Sequence, residues 1–186
     1  SGVFVLVGDC SGRTAELARD SGATVFERSE GGGLGKGFAV QYLIDCLVDQ
    51  RDNFDATITL DSDAKLDRAY LKEMNRIHQA GYPVVMGRPE TPKEKASLSW
   101  INRFGLQCVA ISETARFAMG LAARFSSNTT LIHRDIWKSF DWKCLNHLNT
   151  AEEMCGWFTE RRIPIGYAAN ALVVEEAPRE LENVAG

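Results

Sequence analysis

Asp61 and Asp63 stand two residues apart in "TLDSDAKLD", directly after an apolar run. Carboxylates at that spacing, just past a strand end, can both reach one hard divalent cation, and such a cation neutralises a diphosphate. The plainer reading of the pair is a solvated acidic turn held by Asx hydrogen bonds. A second loaded stretch is "ERSEGGGLGKGFAVQYL", residues 27–43, where Gly31, Gly32, Gly33 and Gly35 lead into Lys36 and Gly37. Glycine packed this tightly around one cation suggests a phosphate cradle, yet two phosphate-loop templates fail by residue count. The P-loop pattern would need glycine at Glu30 and a hydroxyl at Gly37, and G-x-G-x-x-G would need glycine at Phe38 or Lys36. A flexible surface turn is the bland alternative. Third, Glu152 and Glu153 open the helical pattern "TAEEMCGWFTERR". The helix macrodipole accounts for acidic residues there, but a carboxylate beside a substrate hydroxyl can also serve as a general base.

These residues need elements to hold them. The continuous apolar run Val3 to Val7 reads as a strand buried on both faces. A helix follows, with Ser11 as N-cap and Gly22 as stop, and then a short strand at 24–27. Apolar residues at helical spacing (Phe38, Val40, Leu43, Ile44, Leu47) predict a helix over 37–49. Residues 56–60 predict a strand, "DRAYLKEMNRIHQAG" a helix closed by Gly81, and "YPVVMG" a strand. Further along, a helix is expected within 93–108, a strand near 129–132, a helix from Thr150, and one or two strands in "IGYAANALVVEEAP". Strands alternating with helices indicate an α/β domain with a mostly parallel sheet, in which ligands bind beyond the carboxyl ends of the strands. "GDCS", the glycine loop and "DSDAKLD" all fall at such ends.

Composition bounds the function. The 186 residues suit a single domain, 1–186, with ordinary apolar (45%) and charged (25%) content. The net charge of −4 has no basic stripe, which argues against a nucleic-acid partner. Five scattered cysteines without a CxxC read as buried reduced thiols of a cytoplasmic protein, and the three histidines share no metal-ligand spacing. No apolar run approaches the ~20 residues of a membrane span. The chain opens almost directly into its first strand, and buried strands of that kind have neighbours on both sides. An upstream strand is therefore expected.

In order and spacing these stretches resemble the family 2 glycosyltransferases. The likeness rests on "VLVGDCSGRTAELARDSGATVFERSEGGGLGKGFAVQYLI", on "TLDSDAKLD", and on "TAEEMCGWFTERRIPIGYAANALVVEEAP". It covers most of the chain and is weakest over 88–127. No single motif is specific; the ordered set is. It implies a GT-A fold, three layers α/β/α, and inverting transfer of a sugar from a nucleotide diphosphate donor, usually a UDP-sugar, with Mg²⁺ or Mn²⁺. It implies that Asp9 bonds the nucleoside, that Arg28 and Lys36 lie near the nucleotide, and that Asp61 contacts ribose or diphosphate. Asp63 would ligate the metal. Glu153 takes the place of the family's catalytic aspartate, with Glu152 as the neighbouring alternative, and Asn128 and Thr129 border the acceptor pocket.

The implied acceptor is a saccharide or a lipid-linked molecule, as in polysaccharide biosynthesis. Membrane association would come from segments beyond this sequence. Two other readings keep the same residues: a sugar-nucleotide or carbohydrate-binding module without turnover, and a D-x-D phosphotransferase of the haloacid dehalogenase type. Trp157, at helical spacing, reads as core before it reads as a sugar platform.

Overall fold

Apolar residues that alternate along the strands assign each to one of two helical layers. The computed structural model describes residues 2–8, 13–28, 36–47, 54–61, 63–90, 99–124, 129–140 and 150–174. Its strands are β1 (Phe4–Gly8), β2 (Thr24–Arg28), β3 (Ala56–Thr59), β4 (Lys65–Leu66), β5 (Val84–Glu90), β6 (Thr130–His133) and β7 (Ile165–Val174). Its helices are α1 (Arg13–Asp20), α2 (Lys36–Cys46), α3 (Tyr70–Gln79), α4 (Ser99–Ala118), α5 (Arg134–Ser139) and α6 (Thr150–Glu160).

Five strands form one sheet in the order β3-β6-β5-β7-β4. Within it β3, β5 and β7 share one direction, while β6 runs against both its neighbours and β4 against β7. The sheet is thus mixed: β3, β5 and β7 run together as a mostly parallel sheet requires, while among the described residues direct parallel pairing within it joins only β5 to β7. Val84 and Met86 of β5 face a core built with Ile44 of α2, Trp137 of α5, and Met154 and Phe158 of α6. Val85, one residue out of phase, faces Tyr70, Met74 and Ile77 of α3. This is the period-two alternation of a strand covered on both sides, and it makes the three-layer α/β/α arrangement. The three α3 residues recur at i, i+4 and i+7, all at most 4% exposed, and each such burial contributes about 1.5–3 kcal/mol. Gly166 lets α3 come this close, because a Cβ there would sit 2.5 Å from Ile77 Cγ2 and 2.9 Å from Tyr82 Cβ.

β1 and β2 pair in parallel as a separate two-stranded sheet. Phe4 at the start of β1 meets Phe54, just ahead of β3, edge to face with ring centroids 5.6 Å apart. The expected two-sided burial of 3–7 is reached only at Val7, with Phe4 to Leu6 half-buried and Val3 exposed. The reason is that β1 has a strand on one side only among the described residues.

Other expectations shift in detail. The helix expected within 93–108 is a 20-residue α4 extending to Ala118. The short β4 and α5 carry too few residues to show a period, and α5 is instead signalled by its cap, His133 Nδ1 accepting the N–H of Asp135 at 3.3 Å. Cys46 and Cys108 are exposed free thiols rather than buried ones, and Cys155 is half-buried and free. No helix among the described residues is long and apolar enough to cross a membrane.

Candidate functional site

Shared strand direction sets the site. Because β3, β5 and β7 point the same way, their carboxyl ends lie on one edge of the sheet, and the antiparallel β6 begins there. Asp61 follows β3 by two residues and is half-buried; Asp63 is exposed. The Ala64 N–H donates to Asp61 O at 3.1 Å, closing the turn that presents both carboxylates. β4 then pairs with Val173 and Val174 at the far end of β7, and the Asp67 N–H donates to Leu172 O at 3.0 Å. The acidic turn is therefore stretched along the carboxyl edge from β3 to β7 and anchored at both ends.

Helix α6 ends at Glu160, four residues before β7, and packs Met154 and Phe158 against the core that Val84 and Met86 of β5 share. Its 11 residues span about 16 Å at 1.5 Å per residue, with the first turn at the end away from the start of β7. That turn carries Glu152, exposed, and Glu153, half-buried. The Oε2 of Glu153 is buried with no hydrogen-bond partner among the described residues. A carboxylate oxygen in that state keeps its full capacity to accept a proton or a hydrogen bond.

The remaining expected residues divide. Arg28 ends β2, and Lys36 opens α2. Tyr42 of α2 donates to Glu27 O at 3.3 Å, which holds α2 against the end of β2. Thr129 is fully buried, and its carbonyl accepts the Tyr70 hydroxyl at 3.0 Å and the Gly87 N–H at 3.5 Å. Its side chain thus lies beneath the edge rather than on an open wall. Asp9, Asn128, and the glycines Gly31 to Gly35 lie outside the described residues. Trp157 packs against Phe140 and Phe158 at centroid distances of 5.1 and 5.7 Å, with the Arg161 guanidinium 4.2 Å above its ring, so it serves the core as expected.

The donor set can be judged for a metal. Among the described residues no group of three or more His, Cys, Asp or Glu side chains converges on one point. One or two carboxylate oxygens fit Mg²⁺ or Mn²⁺ all the same, because such ions keep several waters and take the rest of their ligands from substrate phosphates. His78 and His133 are engaged elsewhere: their rings lie 5.4 Å apart, and Nδ1 of His78 is 3.0 Å from Tyr82 O.

A polar network that no sequence signal marked joins α4 to the segment that follows it. Glu113 of α4 is 1% exposed and accepts both the backbone N–H and the Nε–H of Arg124, at 2.9 and 2.8 Å. Its other guanidinium neighbour, Arg116, stands 3.8 Å away. Arg88 at the end of β5 pairs with Glu90 at 3.1 Å, while its Nε is buried with no partner among the described residues. The Tyr167 hydroxyl is likewise buried and unpartnered. Burial pushes its pKa up to about 12; Arg88 opposes that rise and Glu113 adds to it.

No protein-family model matches the sequence, and no curated protein matches it either. Solved structures do. One is described as a mycobacterial protein: TM-score 0.54, 17% identity, 99% of this chain and 59% of that one. Another is glucosyl-3-phosphoglycerate synthase from Mycobacterium tuberculosis with uridine diphosphate, at TM-score 0.53, 15% identity, and 97% and 62% of the two chains. The same enzyme with Mn²⁺, UDP-glucose and glycerol 3-phosphate aligns at TM-score 0.52 and 16% identity, again over 97% and 62%. The chain has a GT-A-like fold. It spans about three fifths of the length of those solved chains, and at this identity the likeness speaks for the fold alone.

Proposed function

We propose that the chain is a glycosyltransferase domain that moves a sugar from a nucleotide diphosphate, a UDP-sugar, to an acceptor hydroxyl with inversion and with help from Mg²⁺ or Mn²⁺. The reading rests on the Asp61–Asp63 turn between β3 and β4 at the carboxyl edge, and on the Glu153 carboxylate oxygen, buried and without a hydrogen-bond partner among the described residues. The fold shared with a UDP-glucose-bound enzyme supports it.

On this reading Asp63 holds the metal and Asp61 orients ribose or diphosphate, with Asp9, Arg28 and Lys36 around the nucleotide. The metal, when bound, offsets the charge that builds on the departing diphosphate. Glu153 takes the proton of the acceptor hydroxyl as that oxygen bonds to the anomeric carbon from the face opposite the diphosphate. The bond from that carbon to the diphosphate oxygen breaks, and UDP leaves with the electron pair. Asn128 and Thr129 shape the acceptor side, Thr129 through the backbone it fixes. A cytoplasmic setting, and membrane attachment through other segments, belong to the same proposal.

Thermal unfolding with UDP and UDP-sugars, with and without Mn²⁺, tests it. A ligand at 100 times its Kd stabilises by about 2.7 kcal/mol, a rise of several degrees for a domain of this size. Asp63→Ala is expected to remove the Mn²⁺-dependent part of that rise. Binding without any transfer or hydrolysis, unaltered in Glu153→Gln, would instead identify a binding module.

A further inference from the structure

Helix α4 carries its apolar stripe outward. Toward the sheet it turns Ala110, Glu113 and Phe117, at i, i+3 and i+7, and the charged Glu113 is 1% exposed. Toward solvent it turns Phe104, Cys108, Ile111, Ala115 and Ala118, all of them exposed. Their spacing of 4-3-4-3 keeps all five on one stripe about 20 Å long. Apolar residues at that spacing form the seam of a helix packed against a second helix. The positions beside the seam are uncharged, with Gly105 and Ser112 on one side and Gln107 and Thr114 on the other. Arg103 and Arg116 stand further out, so no charge pattern opposes the pairing of like with like.

The stripe has a hollow toward one end and a projection at the other. The hollow is an open groove of about 440 Å³, and Ile111, Thr114, Ala115 and Ala118 belong to its α4 wall. Residues at i, i+3, i+4 and i+7 are the four that frame a hole for one side chain of a facing helix. The groove does not call for an anion, because its one charged lining residue, Arg88, is paired with Glu90 at 3.1 Å. The projection is Phe104, 67% exposed. It lies 11 residues before Ala115, about 16 Å along the axis, so a chain cannot fill its own hole. A second copy can. Two α4 helices packed antiparallel about a two-fold axis between Val109 and Ala110 set Phe104 of each copy opposite Ala115 of the other. The same axis sets Cys108 opposite Ile111, so a large side chain meets a small one in every layer, and both holes are filled at once.

We propose that the outward face of α4 is a docking surface for a second copy of this chain, with each Phe104 seated in the other copy's groove at Ala115. The proposal is independent of the glycosyltransferase reading.

Sedimentation equilibrium of the intact chain under reducing conditions tests it. A single helix pair makes a small interface, so a Kd on the order of 10 µM is expected, which loading concentrations of about 1 to 200 µM bracket. Phe104→Ala empties both holes and Ala115→Phe blocks them, so each alone should weaken the dimer at least about tenfold. Carried together they exchange projection and hole, and the double variant should return to within about threefold of the original Kd. A surface that is merely sticky would show no such rescue. Both side chains are exposed, so the unfolding midpoints of the dilute variants should stay within about 2 °C of the original. A chain that stays monomeric over the whole range overturns the proposal. So does a dimer that either single variant leaves unchanged, or that the double variant fails to restore. A monomer that floats with vesicles of mixed anionic and neutral phospholipid, and no longer does so as Phe104→Ala, would give the face to a membrane surface instead.

Discussion

Replacing Tyr167 by phenylalanine should stabilise this protein. Tyr167 is 2% exposed, and its hydroxyl has no hydrogen-bond partner among the described residues. A hydroxyl in that state has lost water and gained nothing, at a cost of about 1–3 kcal/mol. Phenylalanine keeps the ring and its packing while removing the unmet group. A gain of about 1 kcal/mol near neutral pH is expected, or about 2–4 °C in Tm for a chain of this length. Alkaline pH sharpens the test. The folded state raises the Tyr167 pKa to about 12 from 10.0, so it holds the proton more tightly than the unfolded chain does. The stability linked to that proton is complete below pH ~10 and is lost as the pH climbs from there toward 12. At pH ~11 the loss amounts to at most about 1.4 kcal/mol, and Tyr167→Phe escapes it. Urea unfolding of both proteins at pH 8 and pH 11 should therefore show a variant that is more stable at pH 8 and further ahead at pH 11. A variant less stable by ~1 kcal/mol at pH 8 would mean that the hydroxyl has a partner, a water or the Arg88 guanidinium, and would refute the reasoning.

The other expectations rest on single contacts. Gly166→Ala forces a methyl into Ile77 and Tyr82 and should cost about 1–3 kcal/mol in urea unfolding; a neutral result would show that α3 can move away from β7. Tyr70→Phe removes the 3.0 Å bond to the Thr129 carbonyl and should cost about 0.5–1.5 kcal/mol. Glu153→Gln should lower sugar transfer by about 100-fold or more while leaving the UDP and Mn²⁺ thermal shift intact, so a loss of that shift would place Glu153 in donor binding instead.

Local signals carried much of the architecture. The apolar run ahead of Asp61, the helical spacing of α3, and the stop at Gly81, which adopts a positive φ of 99°, each follow from interactions within a few residues. For that reason strand, helix and turn could be read in order. Glycine spacing alone was enough to reject the two phosphate-loop templates tested. The reversal of β6 could not be read this way, because its direction depends on partners far along the chain: Thr57 pairs with Ile132, 75 residues away. Neither could the 20-residue length of α4, whose exposed face breaks the amphipathic pattern that marks a helix.

The candidate site divides along the same line. Asp61, Asp63, Glu152 and Glu153 are recognisable by residue type and by position at the end of a strand or the start of a helix, and that much is a property of the sequence by itself. The placing of Asp61 and Asp63 at the carboxyl edge required the tertiary structure, since it follows from the shared direction of β3, β5 and β7 and from β4 crossing to the end of β7. Glu113 and Arg88 carried no signal at all. A glutamate in a helix is ordinary until its neighbours bury it, and an arginine at a strand end is ordinary until a groove opens beside it. Local sequence determines what each segment can become, through hydrogen bonds and rotamers within a turn or two. Burial and proximity, which turn a carboxylate or a guanidinium into a functional group, depend on contacts between segments that only the folded chain supplies.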